Sequence, residues 1–286
     1  MDIKARDVGF AAAPGAYVHL FPNVAGFVGA DHVAMILGAG IHRTDKTVLG
    51  VDIGTNTEMV LAHRGELHSC SCASGPALEG AHIVHGMRAA QGAVERVWHT
   101  NKGWRFATIG GLPPVGICGS GIVDAVGELC RIGLLNKKGR LLPGTGIRLG
   151  DGGLELVLST AGSGREITLT EGDIREVQLA KAAIRAGMEL LLRRAGLDWG
   201  EVEEIVVAGA FGSHLRPEQA RAMKLFPPDE HISYRNVGNA AGVGARMGLV
   251  SKGCRRAAAE VATRINHVEL MNEPLFGAAY GRAMYF

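Results

Sequence analysis

Apolar positions change their period several times along the chain, and each change marks an element. Between Thr47 and Cys70 the short runs Val48-Leu49-Gly50-Val51, Met59-Val60-Leu61-Ala62 and Leu67-His68-Ser69-Cys70 are separated by turns at 52–57 and Arg64-Gly65. Runs of this length bounded by Gly, Asn and Asp predict three strands joined as a meander. Farther on, Val177, Ala180, Ile184, Met188 and Leu191 recur at helical spacing, and Thr170-x-x-Asp173 has the spacing of a capping box. A long amphipathic helix is therefore predicted over 171–195, stopped by Gly196. Its Lys181, Arg185, Arg193 and Arg194 read as a solvated face with Glu176 and Glu189 as partners. Helices are further predicted over 22–40 with Gly40 as its cap, in part over 73–90, from Gly116–Gly121 to about Ile132, over 217–223 and over 239–249. Strands are predicted irregularly over 92–110, in short pieces over 136–170, at Glu204–Ala208, around 231–237 and at 267–270. Residues 1–21 carry few signals. The alternation is that of an α/β protein, with no linker and no tandem repeat.

Composition narrows the class. The 286 residues are 47% hydrophobic and 20% charged, which excludes intrinsic disorder. Mean hydropathy is only +0.13, and no apolar run is long enough to span a bilayer. A net charge of +2 gives no reason to expect nucleic acid or a membrane as partner. Five cysteines, an odd number in a large chain, fit reduced thiols and a cytoplasmic location. The 42 glycines recur at element ends, as tight turns and close backbone approaches require.

The sharpest chemical signal is Asp52-Ile53-Gly54-Thr55-Asn56-Thr57 between two strands. A turn of Gly and short hydroxyl or amide residues offers backbone N–H groups and small donors to a phosphate. Asp52, at the end of the first strand, is placed to hold a hydrated Mg²⁺ that balances phosphate charge. The strand Ile205-Val206-Val207-Ala208 breaks into Gly209-Ala210-Phe211-Gly212-Ser213, where a flat ligand can approach the backbone at the carboxyl end of a strand. The spacing is not a dinucleotide fingerprint. Gly119-Ser120-Gly121 opens a helix and reads equally as an anion site or a packing contact. Two helices, around 25–30 and 238–245, place small residues four apart, so their backbones can pack closely. Glu79, His82 and His85 would share a helix face, and either hydrogen bonding or metal ligation fits them. Cys70 and Cys72 face one side of a strand, and two thiols do not hold a cluster. There is no Ser-His-Asp arrangement.

The order of these pieces resembles the ASKHA superfamily of actin, sugar and acetate kinases and heat-shock chaperones. A small-residue helix with an acid precedes a strand-Asp-x-Gly-Thr hairpin. A long helix, strand-Gly-x-x-Gly and a second small-residue helix follow. The strings Ala25-Gly26-Phe27-Val28-Gly29-Ala30-Asp31, Asp52-Ile53-Gly54-Thr55-Asn56, Gly75-Pro76-Ala77-Leu78-Glu79-Gly80-Ala81-His82, Ile117-Cys118-Gly119-Ser120-Gly121 and Ala208-Gly209-Ala210-Phe211-Gly212-Ser213 look like one family within it, the reductive activators of corrinoid proteins. The resemblance spans nearly the whole chain. Thr57 stands where that family usually has Gly.

The resemblance implies an RNase-H-like lobe with a mixed sheet flanked by helices over 48–286, and the end of a first lobe with its connecting helix over 1–47. It implies ATP with Mg²⁺ as cofactors. Asp52, Gly54, Thr55, Asn56, Thr57, Gly119, Ser120 and Gly121 would lie toward the phosphates, Gly209 to Ser213 toward the adenosine, and Asn239 at the second connecting helix. Asp31 would orient water and Asp52 would hold Mg²⁺ through water. The family drives an electron from a [2Fe–2S] ferredoxin domain to a Co(II) corrinoid, so the implied partner is a corrinoid protein, with a homodimer left open. The ferredoxin spacing C-x₄-C-x₂-C and a second Asp-x-Gly-Thr hairpin are both missing from the chain, and both are expected upstream. The 286 residues are accordingly expected to fold but to hydrolyse ATP poorly alone. A sugar- or acetate-type kinase and a non-catalytic docking or dimerisation module are the alternatives.

Overall fold

The protein is described by a computed structural model covering every residue except Ala161, Ser163, Gly164 and 210–213. In chain order, β1 (Asp2–Lys4) and β2 (Tyr17–His19) form a small ribbon before α1 (Ala30–Ala39). The meander β3 (Val48–Asp52), β4 (Thr57–His63) and β5 (Glu66–Cys72) follows. Next come β6 (Ala93–Thr100), β7 (Gly103–Thr108), β8 (Gly116–Ile117) and α2 (Gly119–Arg131). The hairpin strands β9 (Ile147–Gly150) and β10 (Gly153–Ser159) lead through β11 (Ile167–Thr170) into α3 (Glu171–Arg194). The chain continues with β12 (Glu204–Ala208), α4 (Pro217–Ala222), β13 (Ser233–Gly238) and α5 (Ala240–Val250). It closes with α6 (Lys252–Arg264), β14 (Ile265–His267) and α7 (Phe276–Ala283).

The central sheet has six strands in the order β13-β12-β3-β4-β5-β14. The meander is antiparallel, and β12 adds parallel to β3 and β13 parallel to β12. Side chains alternate along β3 between two cores. Leu49 and Val51 pack with α2 and α3, whereas Val48 packs with α1, α5 and α6. Burial on both faces explains why β3 and β12 read as continuous apolar runs. This is the mixed sheet flanked by helices expected above.

Several local expectations hold for identifiable reasons. The Thr170 hydroxyl accepts from Asp173 N–H while Asp173 accepts from Thr170 N–H, so the capping box opens α3. Gly40, at φ 74°, ends α1 through bonds to Ile36 and Leu37 carbonyls. The two small-residue helices do meet. Gly38 of α1 faces the Ala240 carbonyl, and Gly244 of α5 faces the carbonyl of Ala34, so closely that a Cβ at either would collide with backbone.

Other expectations are corrected. The helix predicted over 22–40 begins only at Ala30, because Ala25 and Val28 instead close a bridged turn before Gly29. The final strand is Ile265–His267 and not 267–270, paired with β5. Lys181 is not solvated. It is fully buried, its ammonium donating to the Tyr285 carbonyl at 2.8 Å and lying 4.5 Å above the Phe286 ring. Burial lowers its pKa to about 7. Arg185 does pair with Glu189, at 2.7 Å. No described helix is long and apolar enough to cross a membrane.

His32, on α1, is buried and its Nε2 lies 2.9 Å from the Ser69 hydroxyl. Burial pushes its pKa down to about 4, from an ordinary value of 6.5. A depressed histidine pKa leaves stability complete above the unfolded value and removes it as pH falls through the folded one. Acid unfolding monitored by circular dichroism should therefore show a stability loss between pH 6.5 and 4, about 3 kcal/mol of it from His32. His32→Gln should flatten that limb, and an unchanged limb would assign the acid sensitivity elsewhere.

Candidate functional site

Three neighbouring parallel strands end together. Asp52 is the register partner of Ala208, and Ala208 that of Gly238. Their carboxyl ends present Asp52, Gly209 and the Gly238-Asn239 corner side by side, the edge of an α/β sheet at which ligands collect. Gly209 sits at φ 91°, and a Cβ there would stand 2.8 Å from Asp52 Oδ1 and 2.8 Å from the Ile53 carbonyl. Glycine is thus required twice, by conformation and by space.

Asp52 is the electrostatic centre of this edge. Desolvation, followed by repulsion from Asp31, raises its pKa to about 6. Desolvation also raises the pKa of Glu58, with repulsion from Asp31 and Asp52 adding to it, although its bond from Ser71 opposes the shift. Asp31 therefore stands close enough to act on both, from the first turn of α1, where its Oδ1 accepts from His32 N–H at 3.0 Å. Three carboxylates converge on one strand end, two of them partly buried. A hard cation relieves such repulsion. Among the described residues no group of three or more His, Cys, Asp and Glu is placed to hold a metal ion, and a Mg²⁺ that keeps most of its waters is held through only one or two carboxylates.

The turn after Asp52 exposes Thr55 and Asn56 and leaves Gly54 half-buried. It is braced from below. The Ser74 hydroxyl bonds to the Gly54 carbonyl at 3.0 Å, and Gly75 N–H donates to the Thr55 carbonyl at 2.9 Å. Thr57, named with the phosphate-facing residues, is fully buried with its hydroxyl 2.8 Å from that of Ser74. It braces the turn from inside and does not face the open side.

On the open side Thr55 Oγ1 donates to Glu79 Oε1 at 2.8 Å. Glu79 also lines a cavity of about 330 Å³ with Arg88, Gly119, Ser120 and His214. Gly119 and Ser120, at the N-terminus of α2, thus line a cavity that Glu79 also borders, and a helix N-terminus favours an anion. Gly121 does not, since a Cβ there would collide with the Val94 carbonyl of β6, so its role is close packing. Asn239 caps α5, its side chain accepting from Gly242 N–H at 2.7 Å, while remaining exposed at the strand edge. Ala210, Phe211, Gly212 and Ser213 lie outside the described residues.

The expected Glu79-His82-His85 helix face does not form. The chain makes only a 3-10 turn over Pro76–Glu79, after which Gly80 at φ 86° and His82 at φ 63° leave helical geometry. Arg88, His214 and the bracing Ser74 carry no signal of their own in sequence. Ser74 could have been found as the residue before Gly75-Pro76, where a tight turn must satisfy its backbone locally.

Residues 46–286 match the family described as "C-terminal domain of RACo the ASKHA domain", and residues 1–44 match "RACo middle region". The chain is 38% identical over 296 aligned positions to the corrinoid activation enzyme RamQ of Eubacterium limosum, covering 98% of this chain and 49% of that protein. It is 29% identical to a [Co(II) methylated amine-specific corrinoid protein] reductase of Methanosarcina barkeri, over 72% of this chain and 39% of that protein. A solved structure titled reductive activator for corrinoid, iron-sulfur protein superposes over the whole chain and 47% of its own, with TM-score 0.90 and 37% identity. The chain spans about half the length of the curated relative it matches over nearly its full extent.

Proposed function

We propose, on the premise that this chain belongs to the family of reductive activators of corrinoid proteins, that it is the nucleotide-binding part of such an activator. In this reading 48–286 form the second lobe of an ATP-binding fold and 1–47 the end of the first. ATP use is coupled to moving an electron from a [2Fe–2S] ferredoxin domain onto the Co(II) corrinoid of a partner protein in the cytoplasm. The observation that carries the reading is Asp52. Its carboxylate has a pKa raised to about 6, at a strand end beside Gly209 and the turn 53–56.

The residues present fit a magnesium nucleotide. Asp52, with Asp31 near it, supplies oxygen donors to a hydrated cation, and the cation would supply charge balance for the phosphates. Gly54 keeps the turn free of side chain, and Thr55 and Asn56 offer short polar groups. Gly119 and Ser120 bring the positive end of α2 to the same space. Gly209 lets the chain pass close against Asp52 and Ile53 at the sheet edge where the adenosine would lie. The turn is held rigid by Ser74 and Gly75, so its donors need little reorganisation when phosphate arrives. Hydrolysis additionally needs an opposing wall that positions water and excludes bulk solvent. The chain alone is therefore expected to bind nucleotide and to release phosphate slowly.

Fusing the chain to the half of the Eubacterium limosum relative that it does not match tests the reading. A corrinoid protein should then show the absorbance change of Co(II) reduction only when ATP and an electron donor are both present. Reduction of equal extent without ATP would contradict the proposal. Phosphorylation of acetate or a sugar in its place would favour the kinase alternative.

A further inference from the structure

Glu79, expected from sequence on a helix face with His82 and His85, instead contacts the turn after Asp52. It ends the 3-10 turn Pro76–Glu79 and reaches back to the tip of the 53–56 turn, where it accepts the Thr55 hydroxyl hydrogen at 2.8 Å. Both residues are exposed at this point, so burial does not call for the bond. Like Arg88, Glu79 also lines the cavity at the start of α2. Its backbone is fixed from two sides. Gly75 N–H and the Ser74 hydroxyl tie the preceding residues to the turn. On the other side, Met87 N–H donates to the Ile117 carbonyl and Ile117 N–H to the His85 carbonyl, both within 2.9 Å. The segment cannot drift away from the turn without breaking these bonds.

Resting on the nucleotide reading above, we propose that Glu79 is a positioning residue that latches the phosphate turn and makes the site discriminate by phosphate charge. Thr55 has one hydroxyl hydrogen, and a bound phosphate and the Glu79 carboxylate compete for it. While the latch is closed, the carboxylate also sets a negative charge on the wall of the cavity that a phosphate chain would enter. The repulsion grows with the net charge of the incoming phosphate chain and is absent for the bare nucleoside. Release of Thr55 frees the carboxylate toward the side of the cavity that carries Arg88. The nucleotide with most phosphate charge thus has to open the latch, and a nucleotide with little can bind beside it closed.

Glu79→Gln keeps the acceptor oxygen and removes the charge, whereas Glu79→Ala removes both. The full chain and both variants are titrated calorimetrically with MgATP, MgADP and adenosine, with thermal melts confirming that the exposed substitutions leave folding intact. Glu79→Gln should bind MgATP roughly threefold to tenfold tighter than the parent, gain less for MgADP and bind adenosine unchanged. The gain should shrink as salt rises. A brace without an electrostatic role would give equal affinities in parent and Glu79→Gln, or a loss for all three ligands alike, and either result overturns the latch. A parent chain that binds none of the nucleotides overturns the nucleotide reading itself, which separates the two failures.

Discussion

Gly244→Ala is expected to cost the protein about 3 kcal/mol or more of stability. The new Cβ would fall on the Ala34 carbonyl and Cα, where no rotamer change can make room. The contact is reciprocal, since Gly38 faces the Ala240 carbonyl across the same crossing. Overpacking a well-filled core costs ~1–3 kcal/mol when side chains can shift, and here both obstacles are backbone. The helices would have to separate, which uncovers Val33, Ile36 and Leu37 on the α1 side of the sheet. Gly277→Ala in α7 supplies the control, because nothing lies within 4 Å of a Cβ there and alanine favours a helix over glycine by ~0.5–1 kcal/mol. Thermal denaturation should show a large drop for Gly244→Ala and a small rise for Gly277→Ala. Equal melting temperatures for parent and Gly244→Ala would mean that α1 and α5 do not cross at backbone contact.

Asp52→Asn should do the opposite to stability while removing nucleotide binding. The folded-state pKa of Asp52 is raised to about 6 from 3.8, first by desolvation and then by Asp31. A carboxyl group with a raised folded pKa favours folding fully below its unfolded pKa, and that contribution is lost as pH rises through the folded pKa. At pH 8 the ionised Asp52 therefore opposes folding by about 2 kcal/mol, after allowing for its partial exposure. Asparagine keeps the size and removes the charge. Urea denaturation at pH 8 should find the variant more stable by that order, with the advantage shrinking below pH 6 and vanishing near pH 4. A variant less stable than the parent at pH 8 would show that the Asp52 carboxylate is held by favourable contacts and not kept under strain for a cation. A site residue that weakens the apo fold fits the usual opposition between activity and stability.

Much of this architecture can be read directly from residue patterns. The meander, the capped α3 and the small-residue helix α5 follow from local rules, since strand period, capping chemistry and glycine spacing each act within a few residues. The small residues at 25–29 instead form a turn before α1. Asp52 and Gly209 were legible for the same reason, as each ends an apolar strand. What could not be read depends on partners distant in the chain. Lys181 looks solvated on a helix with Arg and Glu neighbours, yet residues 285 and 286 fold over it. Glu79 and His82 look helical until positive φ angles at Gly80 and His82 turn the backbone away. The Thr55–Glu79 bond spans 24 positions, and Thr57 is drawn inward by Ser74. Gly121 shares its motif with Gly119 and Ser120 but points at β6, a distinction made by helix phase and by a strand more than twenty residues earlier.

Isothermal titration of the chain with MgATP, alongside Asp52→Asn, tests the central claim most directly. One saturable site per chain is expected in the parent, weakened at least tenfold when magnesium is replaced by a chelator. Asp52→Asn should give no saturable heat although its fold is intact. Nucleotide binding of equal affinity in parent and variant, or no binding in a folded parent, would contradict the assignment of this strand edge as the nucleotide site.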